Sequence, residues 1–553
     1  MKDSVQFAYR LAAAFCAGLL ALLAPSASGA SLSNEGAVAY AIIANPKQTA
    51  VGLSSADLKA LFRADQQYWP TKEKGRVNLF LPKTGSAEMK AALSLIYGMS
   101  ESDLKKHWVE MIYQNKISAR PKEFPSAQIL VRIVAKDKDA LTIVPAAAVA
   151  EDSSVKVLRI DGKLPGDEGY PLVLTGQGAV GVIAAGAPRS QEGADGQEER
   201  LQRLENDLLD MQIELAGGGD SDRDFDLGPI FSMKGFGHVG FSDTDVDGGS
   251  NDNAFALGGL DLFITSQLAE NLSFLNETVF EPGDTGEYTL DVERVILKYQ
   301  VSDSLNVQTG RFHTTLGFWN ETYHHGEWLQ TSIDRPAILR FEDDGGLLPV
   351  HLVGLVFKGR ENVGETPFDW TVEIGNGRGA TPDPPQITID ANDSKAINLA
   401  LRAAPSGVPG LQVGGGVYLD RIASGGNSPE NLEETILNGH VVFERDGWRF
   451  IGEYFDVQHD GSTTDASSDG YYFQLARQMG EWTPYLRYDA TSVDDTDPFF
   501  DSTDDSDTLA LGVRWDFTDW AALKLQVDQM TVSPAVGPDE DSTTVSGQVS
   551  FAF

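Results

Sequence analysis

The chain has 553 residues and a formal net charge of −38 at pH 7, from 81 acidic against 43 basic side chains. That length predicts several domains rather than one. The acidic excess excludes nucleic-acid binding as a main role, because neutralising phosphates takes clustered Lys and Arg. A single cysteine, Cys16, excludes a disulfide framework.

The N-terminus carries Lys2 and Arg10, an apolar run from Leu11 to Leu23, then Ser26-Ala27-Ser28-Gly29-Ala30. This is the layout of a secretory signal peptide over 1–30, and the run is too short to span a bilayer comfortably as a retained helix. Cys16 follows Phe15, where a lipid-attachment site wants a small residue. No later stretch approaches about eighteen consecutive apolar residues, so a membrane location requires a barrel.

Residues 31–185 read as an α/β domain. Val38–Ala44 is a continuous apolar run and predicts a buried strand, while Ser54 and Asp57 form a capping-box start to a helix through Leu58, Leu61 and Phe62. Val77–Leu81 predicts a second strand, running through Lys83-Thr84-Gly85-Ser86 into a helix from Ala87 to about Tyr97. A Gly-containing loop before a helix is an anion site in outline: free N–H groups and the helix dipole face the ligand. Thr84 and Ser86 would add hydroxyl donors and Lys83 charge; the competing reading is that Ser86 only caps its helix.

A polar Gly- and Ala-rich linker is expected over 186–196. Leu201, Leu204, Leu208, Met211 and Leu215 then recur at intervals of three and four, predicting a short coiled-coil helix over 197–219. The alternative is an amphipathic helix lying on a neighbouring domain.

Residues 228–553 predict a transmembrane antiparallel β-barrel. Val545, Val549, Phe551 and Phe553 alternate with Thr544, Ser546, Gln548 and Ser550, as a strand between lipid and a wet lumen requires. Soluble sandwiches alternate too, so the turns decide. Tight connections fall at Glu270-Asn271, Asp303-Ser304, Asp446-Gly447, Gly480-Glu481 and Thr518-Asp519. Long acidic or Gly-rich loops are expected between them, at Ser242–Asn253, Arg378–Ser394, Asp456–Asp469, Thr491–Asp507 and Ser533–Asp541. Short turns at one end and long loops at the other mark a membrane barrel. The count is about sixteen strands, enough to enclose an aqueous channel and to put both barrel ends in the periplasm.

Phe318–His351 contains no convincing strand and is expected to fold into the lumen and narrow it. Arg311, Arg335 and Arg340 would oppose Glu342, Asp343 and Asp344 there, setting a transverse field that selects small charged solutes, with His313 also at the constriction. His313, His324, His325 and His351, four of the eight histidines, sit in or beside this segment, where a metal site is conceivable; His324 and His325 are adjacent and ligand spacing is otherwise unremarkable, so none is expected. No nucleophile–base–acid set stands out, hence no catalytic residues, no enzyme and no cofactor.

Two resemblances add to this. Asn45-Pro46, Leu53-Ser54 with Leu58 and Phe62, Trp69-Pro70, Thr84-Gly85-Ser86 and His107-Trp108 resemble the short domain related to phosphate-binding proteins of ABC transporters, over about 35–150. That implies oxyanion contacts from Thr84, Gly85 and Ser86, although Ala64 replaces a usual Gly and only part of a two-lobed protein is present. Gly310-Arg311-Phe312-His313, Leu316-Gly317, Tyr323-His324-His325-Gly326, Trp328–Thr331 and Gly345–His351 resemble an outer-membrane porin family akin to phosphate-selective porins. That implies a trimeric, water-filled channel, without the regular Arg and Lys ladder of a strongly anion-selective pore.

The combined expectation is a periplasmic-binding-protein-like α/β domain, a trimerising helix and an outer-membrane porin for small charged solutes, with phosphate among the candidates. Acidic external loops would reach lipopolysaccharide through divalent cations. The alternative is a receptor or structural anchor barrel with little conductance.

Overall fold

The computed structural model describes residues 37–71, 75–150, 152–174, 230–247, 249, 252–283, 287–341, 346–364, 366–382, 385–500 and 503–553. The signal peptide, linker and coiled-coil helix expected over 1–30, 186–196 and 197–219 lie outside them, as do Glu342, Asp343 and Asp344.

The N-terminal region is a mixed α/β domain centred on β1 (Val38–Ala44). Tyr40, Ile42 and Ala44 enter one apolar core, and Ala41 and Ile43 enter another on the opposite face. A strand buried on both faces reads as the unbroken apolar run seen here. The remaining strands are β2 (Gly52–Leu53), β3 (Asn78–Pro82), β4 (Lys122–Phe124), β5 (Ala140–Pro145), β6 (Lys156–Val157), β7 (Arg159–Ile160) and β8 (Val173–Leu174). The sheet runs β4-β3-β5-β1-β6, with β8 also on β1 and a separate β2-β7 pair. Leu58, Leu61 and Phe62 of α1 (Ser55–Phe62), Met89 of α2 (Ala87–Ala92) and Trp108 of α3 (Glu101–Tyr113) pack into the first core. Ile129, Leu130, Ile133 and Val134 of α4 (Ala127–Lys136) fill the second. The Ser54/Asp57 capping box forms as expected, and Ser100 with Asp103 makes another at α3.

Strands β9 (Ile230–Val246) to β24 (Glu540–Ala552) close into a sixteen-stranded barrel, with β24 pairing antiparallel to β9. Alternation sorts the faces: Val545, Val549 and Phe551 are exposed on the outer wall, while Ser546, Gln548 and Ser550 are buried inside. Val295, Leu297 and Tyr299 likewise face out while Arg294 and Lys298 are buried. Trp482 and Trp515 stack at 5.1 Å on the outer wall near the short turns, where an aromatic girdle belongs. Among the described residues no helix is long and apolar enough to cross a membrane. A closed strand ring with an apolar exterior satisfies every backbone group inside a bilayer. This is an outer-membrane barrel.

The expected tight turns are present, and Asp446 and Gly447 both take left-handed conformations, φ +53° and +79°, as a two-residue hairpin turn demands. Two expected long loops are mostly strand. β9 continues to Val246 and its partner begins at Asp252, while the hairpin at Asp456–Asp469 turns only over 461–464. Acidic and polar residues on both faces do not interrupt a ladder whose main-chain pairing is complete, so these strands run on beyond the bilayer into water.

The α/β domain sits on the short-turn end, which in such barrels is periplasmic. Asp303 in one turn accepts the backbone N–H groups of Gln67 and Tyr68 at 2.8 and 3.0 Å. Lys105 bridges to Asp519 at 2.5 Å, and Arg360 donates to the Asp65 carbonyl at 2.9 Å. The chain leaving α3 enters the barrel itself. The Tyr113 carbonyl accepts from Arg294 at 2.8 Å and its ring meets Phe236 and Phe263 edge-on. The Asn115 carbonyl accepts from Lys298, and the Ser118 carbonyl from Thr265 at 2.8 Å.

Candidate functional site

The lumen is where charge and geometry concentrate. The segment between β13 (Leu305–His313) and β14 (His351–Val363) contains no strand among its described residues and folds inward, as its sequence predicts. Wall side chains hold its backbone. The Glu453 carboxylate accepts the N–H groups of Phe318 and Trp319 at 2.5 and 2.9 Å, and the Tyr472 hydroxyl at 2.5 Å. That fixes the start of a short helix, Trp319–Thr322. Arg514 donates to the carbonyls of Trp328 and Gln330 at 2.5 and 2.8 Å. Lys524 donates to those of Glu327 and Ser332 at 2.7 and 2.9 Å. Arg514, Lys524 and Glu453 would be wet in an empty barrel; here all three are buried.

Between this segment and the inserted tip of the α/β domain lies a cavity of about 170 Å³. Asp65, Gln67, Asn115 and Lys116 line its domain side. On the wall side Lys358 and Arg402 clamp Glu321 at 2.8 and 2.6 Å, and Arg360 takes Asp369 in a bidentate pair at 2.6 and 3.0 Å. Charge pairs thus line this cavity at residues the sequence reading did not single out.

Of the arginines expected in that field, Arg311 pairs with Asp291 at 3.3 Å. Arg335 turns into its own segment, donating to the carbonyls of Leu339 and His324 at 2.9 and 3.1 Å and lying 3.3 Å over Phe341. Arg340 follows the tight turn Ala337–Leu339. Arg311, Arg335 and Arg340 therefore do not share one row. Lys358, Arg360, Arg402 and Glu321 line one cavity instead, and period-2 alternation in the wall strands was the signal that could have found the first three.

At the other expected site Gly85 takes φ +82°, and the Ser86 hydroxyl accepts from the Met89 N–H at 3.1 Å as a helix cap. The Thr84 N–H donates to the carboxylate of Glu123 at 2.9 Å. The Lys83 N–H pairs with the Phe124 carbonyl at 2.8 Å. The chain's own carboxylate thus uses a donor that an external anion would want.

A second cluster joins three of the histidines in and beside this segment to Glu293, which the sequence reading did not name. Glu293, His313, His324 and His351 are all buried, and one donor atom from each lies within 4.8 Å of the others. The pairing of Leu272–Pro282 with Tyr288–Ser302 slips by one residue after Glu277↔Arg294, so Glu293 and Arg294 are both buried. Gly310, at φ +134° with no room for a Cβ beside the Val295 carbonyl, shapes the strand that ends at His313. His313 and His351 face each other as the last and first residues of β13 and β14. The histidines sit in three separate stretches and the bulge is invisible in the sequence, so spacing could not reveal the set.

No protein-family model matches the chain, and no curated protein does. Among solved structures it is similar to the outer membrane channel DcaP of Acinetobacter baumannii, at 12% identity and a TM-score of 0.44, over 60% of this chain and 99% of that one. It is similar to an anion-selective porin from Comamonas acidovorans, at 14% and 0.44, over 59% and 100%. OmpT of Vibrio cholerae in its trimer form matches at 11% and 0.40, over 59% and 100%.

Proposed function

We propose that this chain is a gated porin-type diffusion channel for small charged solutes, with the α/β domain as a plug in its periplasmic mouth. The observation that carries this reading is the insertion of 113–118, whose carbonyls take the side chains of Arg294, Lys298 and Thr265 from the barrel wall. Such polar contacts exchange readily for water, so opening costs chiefly the parting of the Tyr113 ring from Phe236 and Phe263. Lys116, Lys298, Lys358, Arg360 and Arg402 around the cavity favour an anionic solute, phosphate or another oxyanion. Lys83, Thr84, Gly85 and Ser86 would add a weak oxyanion subsite only when Glu123 moves aside. A homotrimer joined through 197–219, and acidic loops bridged by divalent cations to lipopolysaccharide, complete the proposed assembly.

Single-channel recording of the full chain in planar bilayers tests this. The variant Lys105→Ala with Asp519→Ala removes a domain contact at a short turn, away from the residues that line the cavity. It should spend several times longer open than the wild type, with current reduced by phosphate. Equal, fully open conductance in both would remove the gate. No conductance in either would leave an anchor barrel.

A further inference from the structure

We infer that Glu293, His313, His324 and His351 form a binding site for a divalent transition-metal ion, with Zn2+ as the best fit, which staples the lumen segment to the barrel wall. The donor set is three imidazoles and one carboxylate, the chemistry of a borderline ion rather than of Ca2+ or Mg2+. A four-coordinate ion with ligands at about 2.0–2.1 Å needs donor atoms roughly 3.3 Å apart. His324 Nε2 lies 3.0 Å from His351 Nε2 and 3.5 Å from Glu293 Oε2, and His351 Nε2 is in contact with that same oxygen. These three donors are already near coordination spacing, and the His313 donor lies within 4.8 Å of each of them.

The surroundings prepare His324 to be a ligand. Asn320 Nδ2 donates to the carbonyls of Thr314 and Val350 at 3.0 and 3.1 Å, which turns its Oδ1 towards His324 Nδ1 at 2.7 Å. An acceptor there requires the proton on Nδ1, leaving the Nε2 lone pair aimed into the cluster. His325 Nε2, 3.2 Å from Glu293 Oε1, steadies the carboxylate from outside the set.

Hydrogen bonding alone does not satisfy this site. His324 Nε2 and Glu293 Oε2 both face His351 Nε2, which carries at most one proton and cannot satisfy both. Neither ring nitrogen of His313 has a hydrogen-bond partner, although its side chain is only 4% exposed. The carboxylate of Glu277, 3.4 Å from its Nε2, is engaged by Arg294. Leaving a buried polar group unmatched is costly, and a metal ion would engage that ring together with the other three donors.

Four protein ligands leave no open position, so the site would be structural. Glu293 comes from the strand Tyr288–Ser302, His313 and His351 close β13 and β14, and His324 comes from the lumen segment. The inference stands whether or not the barrel conducts.

The test uses full-length protein in detergent, dialysed against buffer with micromolar Zn2+ and then metal-free buffer, with metal measured by mass spectrometry. One Zn2+ per chain is expected in the wild type, and Co2+ in its place should give the intense visible bands of a four-coordinate ion. His351→Gln and His324→Ala should lose the metal. Asn320→Ala, which frees the His324 ring and releases the Thr314 and Val350 carbonyls while leaving all four ligands in place, should weaken binding about 10–100-fold. Heat-modifiable migration on gels checks that each variant folds. A wild type that retains no Zn2+, a Co2+ spectrum of a six-coordinate ion, or retention unchanged in both histidine variants would each overturn the inference.

Discussion

The α/β domain and the barrel lumen both bury side chains, but on opposite terms. Around β1 the interior is Ile42, Leu61, Phe62, Leu130 and Val144, dry and apolar on both faces of the sheet. Inside the barrel the buried side chains include Arg294, Arg487, Arg514, Lys524, Glu277 and Glu453, most of them bonded to another charge or to backbone carbonyls and N–H groups. An apolar core gains by excluding water, and opening it exposes that surface. A polar interior trades its bonds for bonds to water at small net cost, provided every partner leaves together. The same residues become expensive when a single partner is removed. The domain interior is thus dry throughout, while the lumen sets such charge pairs beside a buried apolar set from its own segment, Trp319, Trp328, Leu329, Ile338 and Leu339.

The largest effect should come from breaking one charge out of the lumen. Arg294→Met leaves the fully buried Glu277 carboxylate without its cation and the Tyr113 carbonyl without its donor. Removing one member of a buried pair costs about 3–5 kcal/mol, while replacing both by apolar residues is often neutral. Denaturant unfolding of the barrel in detergent should therefore show a large loss in Arg294→Met and a substantial recovery when Glu277→Leu is added. Equal losses in the single and double variants would mean that Arg294 acts through packing rather than charge.

In the dry interior the corresponding change is Leu130→Ala, in the core between α4 and β1. A Leu-to-Ala cavity costs about 2–5 kcal/mol. Tryptophan fluorescence should report an earlier unfolding of the α/β domain, while heat-modifiable migration of the barrel stays as in the wild type. A barrel weakened equally would show that the two interiors unfold as one unit.

The two regions also differ in how far their sequences reveal them. Val38–Ala44 and the Ser54/Asp57 cap are local patterns, and each appears where its spacing puts it. The barrel strands were equally legible, since alternation and tight turns such as Asp446-Gly447 act over a few residues. Loop lengths were not, because a ladder continues wherever main-chain partners continue, whatever the polarity of Asp243 or Asp245. The lumen was the least legible. Glu321 meets Lys358 and Arg402 across distances in sequence that no periodicity spans, and Glu293 joins its histidines only through a one-residue slip in register. The insertion of 113–118 into the barrel was hidden for a different reason: Tyr113 completes an ordinary amphipathic helix, and nothing local says that the helix ends inside another domain.

A smaller effect would test whether the domain's interior answers to pH independently of the lumen. His107 is buried in α3, with Nε2 2.9 Å from the Arg63 carbonyl. Burial holds its pKa below the usual histidine value; the Arg63 carbonyl contact acts the other way, and Arg63's charge reinforces burial. The folded domain therefore binds fewer protons here than the unfolded chain. This contribution is complete above the unfolded pKa of about 6.5 and is lost as pH falls from there towards the folded value. That window lies above the range where carboxylates titrate, so it can be read separately from the bridge between Lys105 and Asp519, whose Asp519 carboxyl is held low by Lys105. The urea midpoint of the domain should be flat above about pH 7 and decline below it. His107→Gln, which can still donate to the Arg63 carbonyl but cannot be protonated, should flatten the decline. A decline of the same size in His107→Gln would assign the acid sensitivity to the domain–barrel contact, and would mean that even the dry interior is coupled to the plug.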